Sequence, residues 1–216
     1  KKMRWADKAR PFARPLHWIT ALFDGEPLDF SFDGIPCGNF SLGHRFLKPD
    51  KFQVKNLSSY LEESENHFLL VNPEIRKQKI LEQVQNLARE AGGVVEEDSE
   101  LLSIVNYLVE FPVAIRGDFD SHFLELPKEL LVMTMKYHQK YFPVTDGKGN
   151  LLPCFITISN MPTGEGQEIK KGNERVLRAR LEDARFFYNE DKKKSLEEFV
   201  EPLKGVVYQK KLGTLH

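Results

Sequence analysis

Cysteine is scarce in this chain, and long apolar runs are missing. The two cysteines, Cys37 and Cys154, lie far apart among 216 residues, which excludes a disulfide framework and favours a reducing compartment. A structural zinc site needs about four ligands, usually in closely spaced pairs, and the sequence supplies no such pairs. No stretch approaches the roughly 20 apolar residues that span a bilayer. Residues 1–5 are basic but lack the apolar segment of a signal peptide. We therefore expect a cytoplasmic protein that does not enter a membrane.

The chain also has no large excess of positive or negative charge. The 31 Lys and Arg residues nearly balance the 32 Asp and Glu residues, for a net charge of -1. Bulk charge therefore cannot hold this chain on nucleic acid, and any RNA contact needs a local basic patch. Hydrophobic residues make up 41%, enough for one large domain or two small ones. Position 1 is not Met, and residues 206–216 form no closing element. We therefore expect a piece of a longer protein.

Strands and helices are mixed without strict alternation. The Asp24-Gly25 turn predicts a hairpin of residues 16–23 and 28–35, and glycines and prolines predict a loop over residues 36–50. Apolar periodicity and capping residues predict three helices, from Asn72-Pro73 to Gly92-Gly93, from Ser99 to Leu108 and from Pro127 to Tyr141. Further strands are expected at residues 51–55, 113–115 and 152–159. This order favours an α+β fold with a mixed, mainly antiparallel sheet and packed helices.

A fourth helix is expected from Gly172 to Tyr188, with arginines along one side. Its apolar face consists of residues at helical spacing, namely Leu177, Leu181, Ala184 and Tyr188. A second face carries Lys171, Arg175, Arg178 and Arg185. Residues 170–194 contain nine Lys and Arg against five Asp and Glu, so positive charge is concentrated here. Two interpretations remain open: an RNA-facing helix, or a surface helix with Glu174/Arg178, Glu182/Arg178 and Glu182/Arg185 pairs.

Two smaller candidate sites can each be interpreted either as a binding site or as ordinary structure. Lys136 and Lys140 share a helix face with His138 nearby, which indicates a second basic patch or an ordinary solvated surface. His44 and Arg45 lie in a glycine-containing loop, where the histidine either binds phosphate or shapes the loop.

Catalytic and cofactor motifs are weak. Asp118 and Asp120 lie near His122 in a turn after a strand, but no further metal ligand is evident. Cys154 lies in a strand pattern and is expected to be buried and inert. No Walker A loop is present, so we expect no nucleotide or metal cofactor in this chain.

The order of residues along the arginine helix closely resembles a signature of a known family. Residues Gly172 to Phe187 read GNERVLRARLEDARFF, which is similar to the β subunit of bacterial-type heterotetrameric glycyl-tRNA synthetase. The resemblance extends in the family's order over nearly all 216 residues. It includes Met3-Arg4-Trp5, Arg14-Pro15-Leu16-His17-Trp18, Gly43-His44-Arg45-Phe46-Leu47, Val109-Glu110-Phe111-Pro112-Val113, residues 135–144 and Leu203-Lys204-Gly205-Val206-Val207.

This resemblance implies a fold and a set of partners. Residues 1–190 would form an α+β domain like the B3/B4 module of the phenylalanyl-tRNA synthetase β subunit. Residues 191–216 would form a linker toward a helical HD-type domain outside this chain. The family's α subunit performs glycylation with ATP and Mg²⁺, so this chain would be a non-catalytic structural and tRNA-handling module. Its partners would be tRNA(Gly), the α subunit in an α2β2 assembly and the remaining β-subunit domains.

The resemblance also leaves two alternatives to tRNA handling. One is hydrolytic editing of mischarged tRNA, by analogy with the related B3/B4 module. Glycine is the smallest amino acid, however, and larger ones can be excluded sterically, so the need for editing is low. The other is a scaffold between domains that makes no RNA contact. Under the tRNA-handling hypothesis, the candidate RNA-binding residues are Arg175, Arg178, Arg185, Lys171, Lys136, Lys140, His44 and Arg45.

Overall fold

The computed structural model describes residues 15–161 and 166–215. These residues fall into two compact units. Unit 1 comprises residues 15–83, 98–114 and 158–161, and unit 2 comprises residues 84–97, 115–157 and 166–215. Helices and small, mainly antiparallel sheets are mixed in the chain, so the predicted α+β class is confirmed. The likeness to a B3/B4 module and the division into residues 1–190 and 191–216 stay predictions.

Unit 1 contains short strands that pair locally. They are β1 (Ile19–Thr20), β2 (Leu22–Phe23), β3 (Glu26–Pro27), β4 (Ser31–Phe32), β5 (Ile35–Gly38), β6 (Phe40–Leu42) and β7 (Lys51–Gln53). The β1–β5 pair is parallel, whereas β2–β3, β4–β5 and β6–β7 are antiparallel. Asp24 and Gly25 have φ angles of 51° and 83°, as a type I′ hairpin turn requires.

The helices of unit 1 begin at polar capping residues. They are α1 (Leu57–Asn66), α2 (Pro73–Glu90), of which the part up to Gln83 belongs to unit 1, and α3 (Ser99–Asn106). Asn56 accepts a hydrogen bond of 2.8 Å from the Ser59 N–H at the start of α1. Asp98 accepts a hydrogen bond of 2.9 Å from the Leu101 N–H at the start of α3. Each cap satisfies a backbone donor that the first helical turn leaves unpaired.

A buried arginine joins α2 to the end of α3. Arg76 is 8% exposed, and its Nε donates to the Asn106 backbone oxygen at 2.9 Å and to Asn106 Oδ1 at 3.1 Å. Its Nη1 donates to the Leu70 carbonyl. The guanidinium thus lies at the C-terminal end of α3, where the helix dipole favours a positive charge.

Unit 2 is built on a sheet of order β8-β10-β9. Its strands are β8 (Val113–Asp118), mostly in this unit, β9 (Phe142–Thr145) and β10 (Leu151–Ser159). Between β8 and β9 lie a 3₁₀ helix (Ser121–Glu125), α4 (Lys128–Met133) and a π-helix (Thr134–Gln139). After β10 follow α5 (Gly166–Asp191), α6 (Leu196–Leu203), β11 (Val207–Gln209) and β12 (Gly213–Thr214), the last two paired antiparallel.

The core of unit 2 forms where α5 covers this sheet. It is a cluster of buried apolar side chains from the 3₁₀ helix, α4, the π-helix, β10 and α5, including Phe123, Leu131, Met135, Phe155, Leu177 and Leu181. Each of these six is at most 1% exposed. Burying such side chains is the main favourable contribution to folding, at about 1.5–3 kcal/mol each.

Most predicted elements are confirmed, with local corrections. A second turn at Asp33-Gly34 ends the predicted long hairpin and pairs β4 with β5. The predicted loop over residues 36–50 contains β6, and β8 continues through Gly117. Helix α1 was not predicted, and the third predicted helix changes to a π-helix at Thr134. Residues 3–5 and 14, which carry part of the family resemblance, lie outside the described residues, as do residues 162–165. Within residues 15–161 and 166–215, no helix is long and apolar enough to cross a membrane.

Candidate nucleic-acid interface

Helix α5 is anchored by its apolar face and by one partly buried hydrogen bond. Leu177 and Leu181 are fully buried. At the N-terminal end, the Tyr141 hydroxyl donates to Asn173 Oδ1 at 2.6 Å. The Tyr141 ring stacks on Phe155 at 4.5 Å, and burial raises the pKa of Tyr141 to about 12. These contacts fix the rotation of α5, and hence the direction of its charged face.

Charged groups from β8 hold one flank of α5. Asp118 accepts hydrogen bonds from Lys170 Nζ at 2.7 Å and from Arg116 Nη2 at 2.9 Å, while its own N–H donates to Glu174 Oε1 at 2.9 Å. Partial burial opposes ionisation of Asp118, but the hydrogen bonds from Lys170 and Arg116 outweigh it and lower its pKa. Glu174 is thus occupied by β8 and by Lys170 at 3.5 Å, so it does not form the predicted pair with Arg178.

The basic residues of α5 separate into paired and unpaired side chains. Lys171 pairs with Glu168 at 3.2 Å, and Arg185 pairs with Glu182 at 2.5 Å, as the second interpretation predicted for Arg185. The predicted Glu182/Arg178 pair is wrong, because Glu182 bonds Arg185 instead. Arg175 and Arg178 are exposed, and neither has an ion-pair partner among residues 15–161 and 166–215. We call Arg175 and Arg178 the arginine surface.

Arg180 is a further exposed arginine that the sequence patterns did not single out. Successive helical residues are rotated by about 100°. Asn173 and Arg180 therefore face the flank of α5 that meets the π-helix, whereas Glu174 and Arg178 face the flank that meets β8. Arg180 has no ion-pair partner in the described parts of the chain. It lines a groove of about 380 Å³ with Phe187 and Asp183, away from the arginine surface.

The second predicted basic patch is not continuous with the first. Lys136 lies over the Tyr137 ring at 5.2 Å. Lys140 adopts a left-handed conformation with φ of 62°, and its Nζ donates to the Tyr137 carbonyl at 2.9 Å. Both lysines are half-buried and belong to the segment on the Arg180 flank. Helix α5 therefore lies between them and Arg178.

His44 and Arg45 belong to unit 1, whereas the other six candidates belong to unit 2. His44 is 1% exposed, and its Nδ1 accepts from the N–H groups of Phe46 and Leu47, both at 3.3 Å. This geometry favours a role for His44 in shaping the loop over a role in binding phosphate. Arg45 is exposed, with its guanidinium 5.6 Å from the Phe46 ring.

A histidine–aspartate pair lies next to the arginine surface, and one nitrogen of its ring is occluded. His122 Nδ1 lies 2.8 Å from Asp120 Oδ1, an arrangement that orients the ring of a general base. However, His122 Nε2 is occluded and has no hydrogen-bond partner. The pKa of Asp120 is lowered, first by the N–H of His122, with a smaller contribution from the charge of Arg178. Arg178 thus acts on the 3₁₀ helix without pairing to it.

The remaining sequence candidates give no chemical site. No group of three or more potential metal ligands occurs within the described ranges, so Asp118, Asp120 and His122 do not form a recognisable metal centre. Cys154 is buried as predicted, and burial raises the pKa of its thiol despite the nearby charge of Arg116. A higher pKa leaves less reactive thiolate.

Comparisons with known proteins agree over the whole chain. The family model described as glycyl-tRNA synthetase beta subunit matches residues 1–216. A glycine–tRNA ligase beta subunit of Syntrophotalea carbinolica is 51% identical over 214 residues, which cover 99% of this chain and 31% of the relative. Those of Citrifermentans bemidjiense and Geobacter sulfurreducens are 53% and 50% identical over the same shares. The chain thus spans 31% of the length of these curated relatives.

Proposed function

Because the chain belongs to the glycyl-tRNA synthetase beta subunit family, we propose that it is a non-catalytic, tRNA-handling module of a glycine–tRNA ligase. The resemblance to this family is thereby confirmed over residues 1–216. Because the chain spans 31% of its relatives' length, the activity and partners of the whole enzyme are part of this proposal.

The arginine surface is the observation that carries the tRNA-handling role. Guanidinium groups bind phosphate oxygens with paired hydrogen bonds and stay charged at any physiological pH. An arginine already paired with a carboxylate must give up that partner first, as Arg185 would with Glu182. Arg175 and Arg178 carry no such cost. Their helix is fixed by the Asn173 hydrogen bond and by the buried Leu177, so the helix face that carries both arginines has a defined direction.

The glycylation chemistry is proposed to take place elsewhere in the enzyme. We place ATP and Mg²⁺ in the α subunit of an α2β2 assembly, with tRNA(Gly) contacted in part by this chain. A cytoplasmic location follows from the site of protein synthesis. The Asp120–His122 pair does not support the editing alternative, because the nitrogen that would accept a proton is occluded. Turnover of mischarged tRNA(Gly) by this chain in a deacylation assay would overturn the non-catalytic assignment.

The test compares two sets of charge reversals in the assembled enzyme. In Arg175→Glu/Arg178→Glu, two phosphate contacts are expected to be lost. Each contact contributes about 0.7 to 0.9 to the slope of log affinity against log salt, so the slope should fall by about 1.4 to 1.8. Between 50 and 200 mM salt, the unmodified enzyme should lose about 7- to 12-fold more affinity for tRNA(Gly) than the variant.

Arg180→Glu is the matched control, since it reverses the same charge on the same helix at an exposed, unpaired position on the other flank. It should leave the slope close to that of the unmodified enzyme. If the Arg175/Arg178 variant keeps both affinity and slope, the chain is a scaffold without RNA contact at this helix. If Arg180→Glu lowers the slope equally, the contact is not specific to the arginine surface.

A further inference from the structure

The last part of the chain exposes apolar side chains that residues 15–161 and 166–215 do not cover. From residue 191 to residue 215 every residue is exposed except Leu203, which is half-buried. The exposed apolar members, which we call the tail surface, are Leu196, Phe199, Val200, Val206, Val207, Tyr208, Leu212 and Leu215. Leu196 is 84% exposed and Leu212 74%. Large apolar side chains exposed together in one segment are typical of an interaction site.

Residues 195–215 form regular secondary structure despite this exposure. Ser195 and Glu198 form a reciprocal capping box at the start of α6, with the Ser195 N–H donating to Glu198 Oε2 at 2.7 Å. Leu196, Phe199, Val200 and Leu203 then recur at helical spacing, so one face of α6 is apolar. An eight-residue helix and a two-stranded hairpin are each marginal in water without packing. The tail surface therefore needs a partner to be stable.

We propose that the tail surface docks on a part of the β-subunit polypeptide that lies outside these 216 residues. This inference rests on the proposed function only in placing the chain within a longer β subunit. The relatives are more than three times as long as the matched region, since it covers 31% of them. A partner on the same polypeptide is present at a high effective concentration, which favours it over a second molecule.

The chemistry of the docking site follows from the tail surface. Its centre should be apolar, to receive Leu196 and Leu212. Lys210 and Lys211 lie in the turn between β11 and β12, and residues 207–215 contain no acidic side chain. The rim that faces this turn should therefore be acidic, because opposite charges at an interface rim favour the correct docking orientation.

Hydrogen exchange on the full-length β subunit, without tRNA, tests the proposal. Amides of residues 196–215 should exchange at least tenfold more slowly in the full-length subunit than in the 216-residue chain. Leu196→Asp and Leu212→Asp in the full-length subunit should abolish this protection. Glu201→Gln is the matched control: it changes a polar residue of the same helix outside the apolar face and should keep the protection.

Each alternative occupant gives a different result. Equal exchange in the long and short chains would overturn the proposal. Protection that rises with protein concentration would assign the tail surface to a second copy, and protection that requires the α subunit would assign it to that partner; either outcome overturns it as well. The assay contains no RNA, so failure of the tRNA-handling role leaves its result unchanged.

Discussion

Gly117 in β8 is a position where one methyl group should measurably destabilise unit 2. A Cβ placed there would lie 2.3 Å from Cζ of Phe155 and within 2.9 Å of both Cε atoms, whereas ordinary contact begins near 3.4 Å. The ring would have to move by about 1.1 Å. It is fully buried and stacked on Tyr141 at 4.5 Å, so that movement disturbs the core.

The cost of Gly117→Ala follows from this crowding. Overpacking a filled core costs about 1–3 kcal/mol, and the crowding of three ring atoms places this case near about 3 kcal/mol. For a chain of this size each kcal/mol lowers Tm by about 2–4 °C. We therefore expect Tm to fall by about 6–12 °C, measured by circular dichroism, with the free energy of unfolding obtained from urea titration.

Two further variants make this prediction specific. Gly172→Ala adds the same methyl group to exposed α5, where nothing lies within 4 Å, and should stabilise the chain by about 0.5–1 kcal/mol. In Gly117→Ala/Phe155→Leu the crowding ring is absent, so the double variant should be at least about 1 kcal/mol more stable than the two single changes predict by addition. Additive effects, or an unchanged Tm for Gly117→Ala, would refute the packing argument.

Two other changes test charged groups in each unit. The pKa of Asp118 is lowered in the folded chain. The ionised carboxylate therefore stabilises the fold above the usual Asp pKa of about 3.9, and this stabilisation is lost as pH falls below it. Asp118→Asn should flatten the acid limb of the stability curve, and because the side chain is 43% exposed, it should cost no more than about 1 kcal/mol at pH 7. An unchanged acid limb in urea titrations from pH 3 to 7 would contradict this. Arg76→Met leaves the Asn106 and Leu70 carbonyls without their buried donor and should lower the free energy of unfolding by about 2–3 kcal/mol. Arg76→Lys should recover part of that free energy. Equal stability with Met and with Arg at position 76 would show that the hydrogen bonds contribute nothing.

Elements with strong local signals could be predicted from the sequence. Asn72 and Pro73 cap and open α2, apolar residues recur along it, and Gly92 with φ of 73° follows its end. Each of these signals acts within a few residues, so no knowledge of the rest of the fold is needed. Helix α1 lacked such a signal, since it is polar over most of its length and buries Ser64. Its Asn56–Ser59 capping box was the available clue.

The π-helix shows a second kind of limit. Residues 127–139 have ordinary helical spacing, and a π-helix differs from an α-helix only in that each N–H bonds the carbonyl five residues earlier rather than four. The left-handed Lys140 that ends the segment is equally hard to foresee, because a glycine normally marks such a position. Both features become understandable once Met135 and Tyr141 are seen buried in the core of unit 2.

Whether Arg178 finds an ion-pair partner depends on contacts that local spacing cannot reveal. By spacing alone, Glu174 and Glu182 were both suitable partners for Arg178. In the structure Glu174 accepts from the Asp118 N–H, 56 positions away, and Glu182 bonds Arg185. Arg178 therefore has no ion-pair partner among the described residues, since β8 and a neighbouring arginine take its two candidate partners. It follows that Glu174→Gln should weaken the contact to β8 without adding a partner for Arg178. Under the proposed function, the tRNA affinity of the arginine surface should thus depend on α5 remaining packed on the sheet of unit 2, and not on the net charge of residues 170–194.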